Sequence, residues 1–127
     1  MTNTNQIVAA GILIEYEDMF PFEGLLKDVA ALNHYNKSDL YNLLITSKQL
    51  GLEVIPLVQT FGHMEFILKH GQFANMRDSP QMPESICPCH EHAMNLIGMY
   101  IDQVRIATIL LSCRKSRLIF AKLTLNT

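Results

Sequence analysis

The sequence has few of the features that mark secreted, disulfide-bonded or membrane-spanning proteins. It contains three cysteines, and an odd number of cysteines argues against a disulfide framework. No lysine or arginine precedes Lys27, and the apolar run at residues 7–14 is too short to cross a membrane. Two further apolar runs, residues 106–111 and 118–125, are separated by the basic stretch 114–117. These absences predict a soluble protein of the cytoplasm or the nucleus, without a membrane span.

Acidic residues are missing from the last part of the chain, residues 105–127, which has five basic residues and therefore a charge of +5. Residues 1–104 have twelve acidic and five basic residues, which gives a charge of −7. A basic segment can bind nucleic acid or an anionic membrane, but this one lacks interleaved aromatic residues and a known binding motif. We therefore expect no nucleic-acid or membrane partner. Residues 105–127 are interpreted as a divergent basic tail that follows a domain of residues 1–104.

Two aliphatic strands joined by a helix are predicted in the first half of the chain. Residues 7–17 and 52–59 are nearly continuous apolar runs, which are typical of buried parallel strands. Between them, Ser38 is the expected N-cap of a helix that extends to about Gln49, with Gly51 at its C-cap. The order strand, helix, strand predicts a βαβ unit with parallel strands, and hence an α/β fold.

The second half of the chain predicts part of a further unit. A short helix is expected at residues 64–70, a loop at 71–88 and a long helix at 91–104, whose apolar residues recur on one face. The apolar run 106–111 is then the expected third parallel strand. So few parallel strands leave faces and edges of the sheet uncovered, which favours a fragment of a larger fold or a homo-oligomer.

Polar side chains follow both predicted strands at their carboxyl ends, where parallel α/β folds place functional sites. They are Glu15, Glu17 and Asp18 after the first strand, and Gln59, His63 and Glu65 after the second. Carboxylates and a histidine at adjacent strand ends indicate acid–base chemistry or hydrogen bonding to a polar substrate. The alternative is that these groups only cap loops and contact water.

A second group of polar side chains lies just before the second long helix, where four potential metal ligands occur within six residues: Cys87, Cys89, His90 and His92. Zinc sites usually have wider spacing between ligand pairs, and alternating ligands would crowd one another. We therefore interpret this segment as a loop that leads into a helix, and expect neither a metal nor another cofactor. Cys113 has no histidine near it in the sequence and is interpreted as an incidental thiol.

Two long motifs resemble glycoside hydrolase family 20. They are GILIEYEDMFPFEG at residues 11–24 and GLEVIPLVQTFGHMEF at residues 51–66, and the resemblance extends over residues 11–104. It implies a fragment of a TIM (β/α)₈ barrel that covers roughly strands 2 and 3 with their helices. It also implies hydrolysis of terminal, non-reducing β-linked N-acetylhexosamine, in which the acetamido oxygen of the substrate is the nucleophile.

The resemblance further indicates which site residues to expect and which are missing. The family places an adjacent aspartate and glutamate after the fourth strand, in a His-x-Gly-x-Asp-Glu type of string. The aspartate orients the acetamido group and the glutamate protonates the leaving oxygen. This sequence has no such string, and its adjacent acidic pair, Glu17 and Asp18, belongs to the second-strand motif. No catalytic residue is therefore assigned. The matching positions imply that Glu17, Asp18, Gln59 and His63 bind the sugar, with Gln59 where many members have an aspartate.

Three interpretations of the whole chain follow. In the first, it is a partial β-N-acetylhexosaminidase, inactive as an isolated chain, whose complete form binds a carbohydrate substrate. In the second, it is a non-catalytic splice product that acts as a binding or regulatory partner, for example on a full-length copy. In the third, it is an unstable product that never accumulates. The basic tail after Val104 fits an alternative exon, a frameshift or a read-through.

Overall fold

The computed structural model describes residues 10–111 and 119–121, so residues 7–9 of the predicted first strand lie outside the described residues. Along the chain, the strands are β1 (Gly11–Glu15), β2 (Glu53–Gln59), β3 (Arg77–Ser79), β4 (Met82–Ile86) and β5 (Ile119–Ala121), and the helices are α1 (Lys37–Gln49), α2 (Glu65–Leu68) and α3 (Ala93–Leu111). Short 3₁₀ turns occupy Glu17–Met19, Gly24–Val29 and Gly71–Met76. None of the helices in these ranges is both long and apolar enough to cross a membrane.

The main sheet has three parallel strands in the order β1, β2, β5. Strand β1 pairs with β2 so that Glu15 lies beside Leu57, and α1 connects the two strands. The predicted βαβ unit with parallel strands is therefore confirmed, and the fold is mixed α/β. The third parallel strand comes from residues 119–121, within the segment predicted to be a divergent tail.

The prediction of a strand at residues 106–111 is wrong, because α3 continues through these residues to Leu111. A short apolar run fits a buried strand and a buried helix equally well by pattern. No glycine or proline interrupts the sequence between Gly98 and the end of the helix. Thr108 is 1% exposed, and its hydroxyl donates to the carbonyl oxygen of Val104 at 2.8 Å, so the helix still has a buried side at this position.

The predicted loop at residues 71–88 contains the 3₁₀ turn Gly71–Met76 and an antiparallel hairpin of β3 and β4. The side chain of Arg77 ties this hairpin to α2. Its Nε and Nη2 atoms donate to the carbonyl oxygen of Leu68 at 3.0 and 2.8 Å, and Nη1 donates to that of Pro80 at 3.1 Å. Strands this short give almost no alternating pattern, which is why the sequence did not predict them.

Helix α1 begins two residues before its sequence prediction, because Asn36 and not Ser38 is the N-cap. The side chain of Asn36 accepts from the backbone N–H of Asp39 at 2.8 Å, and the carboxylate of Asp39 accepts from the backbone N–H of Asn36 at 3.1 Å. This reciprocal capping box satisfies two donors that helix formation leaves unpaired. The C-cap is Leu50, one residue before the predicted Gly51, which follows it with a φ of +73° that favours glycine.

A row of aromatic rings passes through the core and joins the segments that follow β1 and β2. Ring centroids lie 5.6 Å apart for Tyr16 and Phe20, 4.9 Å for Phe20 and Phe22, and 5.7 Å for Phe22 and Tyr100. Phe66 of α2 completes the row, 5.5 Å from Tyr100. All five side chains are buried, so the two strand ends share one packed core.

Candidate functional site

The carboxyl ends of β1 and β2 meet at the same edge of the sheet, as parallel pairing requires. The side-chain Nε2 of Gln59 donates a hydrogen bond to Oε1 of Glu15. Gln59 is 7% exposed, whereas Glu15 is open to solvent. A buried amide tied to an exposed carboxylate fixes the direction of that carboxylate while leaving its second oxygen able to accept a further bond.

The pKa of Glu17 depends on its burial and on the charged groups around it. Burial raises the pKa of Glu17, and the nearby carboxylates of Glu15, Asp18 and Glu65 raise it further, whereas His63 opposes the rise. The structure therefore brings together residues from the ends of both strands, as the sequence predicted. We call this group the strand-end cluster; its members are Glu15, Glu17, Asp18, Gln59, His63 and Glu65. Their roles in binding stay a prediction.

Two cluster residues have a left-handed backbone that glycine would adopt more easily. Glu17 has a φ of 44° and His63 a φ of 55°, and among non-glycine residues of the described chain only these two have positive values. Such conformations are costly for residues with a Cβ atom and persist where the surrounding structure enforces them. Their occurrence at two adjacent strand ends marks this edge of the sheet as a functional candidate.

The loop that carries His63 is held by strand β4. The backbone N–H of Met64 donates to the carbonyl oxygen of Glu84 at 2.9 Å, and the N–H of Ile86 donates to the carbonyl oxygen of Phe61 at 2.9 Å. These two bonds flank His63 on both sides. The hairpin of β3 and β4, which the sequence did not predict, thus holds the backbone conformation of His63, which the sequence did predict as a site residue.

We expect His63→Gly to be more stable to unfolding than His63→Ala by about 1 kcal/mol, because glycine adopts a positive φ without a Cβ penalty. The measurement is urea denaturation of both variants. His34, an exposed histidine without a positive φ, is the matched control.

At His34 the order should reverse, since glycine there only adds chain entropy to the unfolded state. A more stable alanine variant at position 63 would show that the backbone at His63 carries no strain.

Asp18 is joined to the segment that follows α2. Its Oδ2 atom accepts from the ammonium group of Lys69 at 2.9 Å, and the side chain of Asp18 is 28% exposed. Its backbone oxygen also accepts from the N–H of Ala31 at 2.8 Å. Lys69 therefore neutralises one of the four cluster carboxylates, and the edge of the sheet keeps an excess of negative charge.

Tyr100 is a site neighbour that the sequence did not reveal. It lies on α3, is 1% exposed, and packs against Phe22 and Phe66. Burial raises the pKa of Tyr100, the backbone of Gln59 opposes the rise, and the carboxylates of Glu15 and Glu17 add to it. The only sequence signal is a residue with a polar hydroxyl among the aliphatic positions of the buried helix face.

The cysteine and histidine segment before α3 has a different arrangement. Cys87 is half-buried and Cys89 is exposed. The Nδ1 atom of His90 accepts from the backbone N–H of His92 at 3.2 Å, and its Nε2 atom lies 3.3 Å from Nδ2 of Asn75. Within residues 10–111 and 119–121, no three histidine, cysteine, aspartate or glutamate side chains are grouped to hold a metal ion. Cys113 lies outside the described residues.

A shallow cleft of about 470 Å³ opens beside the loop that follows β1. It is separate from the strand-end cluster and has two lysines and a histidine at its rim. Its lining is Pro21, Phe22, Glu23, Gly24, Lys27, His34, Asn36 and Lys37. Lys37 forms an ion pair with Glu23 at 2.6 Å, and both side chains are largely exposed, so the pair adds little stability.

Comparison with known proteins identifies one class of relative, the hexosaminidases, and no protein-family model matches the chain. Two of these relatives are Hexosaminidase D from Bos taurus and Hexosaminidase D from Homo sapiens. Each is 49% identical to this chain over 96 residues, which is 76% of the chain. The chain spans 28% of the bovine protein and 20% of the human one. It therefore contains a hexosaminidase D-like segment, which confirms the resemblance seen in the two motifs.

Proposed function

We propose that the strand-end cluster forms part of the sugar pocket of a β-N-acetylhexosaminidase and binds a terminal N-acetylhexosamine. The observation that carries this proposal is the hydrogen bond between Gln59 and Glu15, which joins the two adjacent strand ends into one site. The similarity to Hexosaminidase D supports the choice of sugar. Glu17, Asp18, Gln59 and His63 are the residues that we expect to contact it.

We further propose that the described elements are part of a TIM (β/α)₈ barrel. Strands β1, β2 and β5 are parallel and lie in the sheet in the same order as in the chain, with a helix in each connection. Helices α1 and α3 both contact β2 and each other, on the face of the sheet that carries Val58. On the opposite face, which carries Glu15 and Gln59, Leu13 is 58% exposed. A sheet with helices on one face and polar groups at its carboxyl edge is what a barrel segment presents.

The chemistry of the cluster suits an uncharged, hydroxyl-rich ligand. Carboxylates accept hydrogen bonds from sugar hydroxyls, while the Gln59 amide and the His63 imidazole can donate. The side chain of His63 is exposed and therefore accessible. Four carboxylates with a single paired lysine would repel an acidic sugar, so the preferred ligand class is a neutral N-acetylated hexosamine.

Hydrolysis needs groups that this sequence does not contain. The amino-acid sequence has no adjacent aspartate and glutamate in a His-x-Gly-x-Asp-Glu type of string. General acid catalysis alone is worth about 10²–10⁴-fold in rate. We therefore propose that this chain by itself binds the sugar without cleaving it, and that cleavage requires an acid supplied by further barrel strands.

The test is an NMR titration of the chain with N-acetylgalactosamine, N-acetylglucosamine, galactose and glucuronic acid. We expect the two N-acetylated sugars to shift the signals of Gln59 and His63, galactose to shift them less, and glucuronic acid least. Gln59→Ala should abolish these shifts because it removes the amide that orients Glu15. Gln72→Ala is the matched control, since Gln72 is an exposed glutamine outside the cluster.

Two results would contradict the proposal. One is an absence of shifts at the cluster with every sugar. The other is equal shifts with acidic and neutral sugars, which would mean that the carboxylates do not select the ligand.

A further inference from the structure

Helix α3 contacts the loop after β1 through two residues that lie one turn apart, Tyr100 and Gln103. We propose that they are positioning residues, which hold the loop after β1 and the end of β2 in the geometry that binds a sugar. The inference rests on the proposed function, because the effect of the two residues is measured as a change in sugar affinity. Neither residue is a member of the strand-end cluster.

Tyr100 packs between the segments that follow the two strands. Its ring contacts Phe22 from the loop after β1 and Phe66 of α2. The side chain is 1% exposed, and burial raises the pKa of its hydroxyl, whereas the backbone of Gln59, the residue whose side chain orients Glu15, opposes the rise. The ring therefore holds both segments together near the end of β2.

Gln103 fixes the loop after β1. Its Oε1 atom accepts from the backbone N–H of Glu23 at 2.9 Å, and its Nε2 atom donates to the carbonyl oxygen of Glu23 at 3.1 Å. The amide side chain therefore forms two hydrogen bonds with the backbone of a single residue, which lies 80 positions away in the sequence. The backbone N–H and the backbone carbonyl oxygen of Glu23 both take part in this contact.

The two contacts start from one rigid element. Residues three apart on a helix lie on the same face, so Tyr100 and Gln103 move together. Gln103 holds the backbone of Glu23, and Tyr100 packs against Phe22 in the same loop and against α2. Glu17 precedes Glu23 in this loop, in the turn where its φ is positive. Loss of either contact should leave the fold intact and let the cluster relax.

The first experiment compares sugar affinity in Tyr100→Phe and Gln103→Ala, measured by NMR titration with N-acetylgalactosamine under conditions in which each variant is folded. We expect the Kd to rise about three- to tenfold in each, as for the loss of one or two hydrogen bonds. Tyr41→Phe and Asn95→Ala are matched controls, since Tyr41 and Asn95 are exposed. They should bind as the unaltered chain does.

The second experiment uses Gln103→Glu as a conservative variant that can be switched by pH. A protonated carboxyl has both a donor and an acceptor and so restores both bonds to Glu23, whereas a carboxylate can only accept. We expect its Kd, divided by that of the unaltered chain at the same pH, to approach one in acid. At neutral pH the ratio should approach that of Gln103→Ala. A purely structural role would not give this pH profile.

The outcomes separate this inference from the proposed function. Lower unfolding stability with an unchanged Kd would overturn the positioning role and leave the sugar site standing. If the unaltered chain binds no sugar, the proposed function fails. The positioning role is then judged from the backbone NMR signals of Glu17, Asp18 and His63. Signals that move in Tyr100→Phe and Gln103→Ala but not in the controls support it, and signals that stay in place overturn it.

Discussion

Replacement of Leu26 by alanine is expected to lower the free energy of unfolding by about 2–5 kcal/mol. Leu26 is 0% exposed and lies in the 3₁₀ turn Gly24–Val29, where it joins the hydrophobic core. The substitution removes three buried carbon atoms and leaves a cavity that a core fixed on several sides cannot fill. An effect of this size is a large part of the total stability of a small domain.

The neighbouring residue provides a matched control. Leu25 is 56% exposed in the same turn, so Leu25→Ala should change the free energy of unfolding by no more than about 0.5 kcal/mol. Urea denaturation of both variants gives the comparison, with the midpoint and the slope fitted separately. Equal losses at the two positions would mean that the loop after β1 does not pack as described.

His63→Ala is expected to lower kcat/KM for an N-acetylhexosaminide by about 10- to 100-fold, the range for loss of a hydrogen bond to a charged or developing group. The experiment needs a protein that supplies the missing acid. A suitable one is bovine Hexosaminidase D in which the matched 96-residue segment is replaced by that of this chain. Because the two segments are 49% identical, we expect the segment of this chain to pack against the rest of the bovine protein.

His34→Ala in the same chimera is the control, because His34 is an exposed histidine outside the strand-end cluster. Its kcat/KM should match that of the unaltered chimera. Activity that survives His63→Ala unchanged would remove His63 from the sugar pocket. A chimera without any activity would be tested for sugar binding instead, which separates a lost pocket from a lost acid.

The elements with strong local signals were predictable from the sequence. Strands β1 and β2 have continuous aliphatic runs that end abruptly in polar residues, and parallel pairing then requires Glu15 and Gln59 to meet. The end of α1 followed from Gly51, whose positive φ no other residue type adopts as easily. Each of these features depends on neighbours in sequence, or on one pairing rule applied to two obvious strands.

The features that escaped prediction depend on contacts between distant parts of the chain. Helix α3 includes residues 106–111, where Thr108 is buried and Ala107 packs against the core, and no local pattern specifies these contacts. The hairpin of β3 and β4 is stabilised by Arg77 and by its bonds to the His63 loop. Tyr100 resembled an ordinary core position, and its ring contacts with Phe22 and Phe66 appear only in the folded chain.

The raised pKa of Glu17 makes the strand-end cluster sensitive to weak acid. Because burial and neighbouring carboxylates favour its neutral form, Glu17 binds a proton more tightly in the folded chain than in the unfolded one. As the pH falls through its folded pKa, this residue therefore favours folding, opposite in sign to a salt-bridged carboxylate. The same proton removes one negative charge from the edge of the sheet. If the edge binds sugars as proposed, we expect its discrimination against acidic glycans to weaken in an acidic environment.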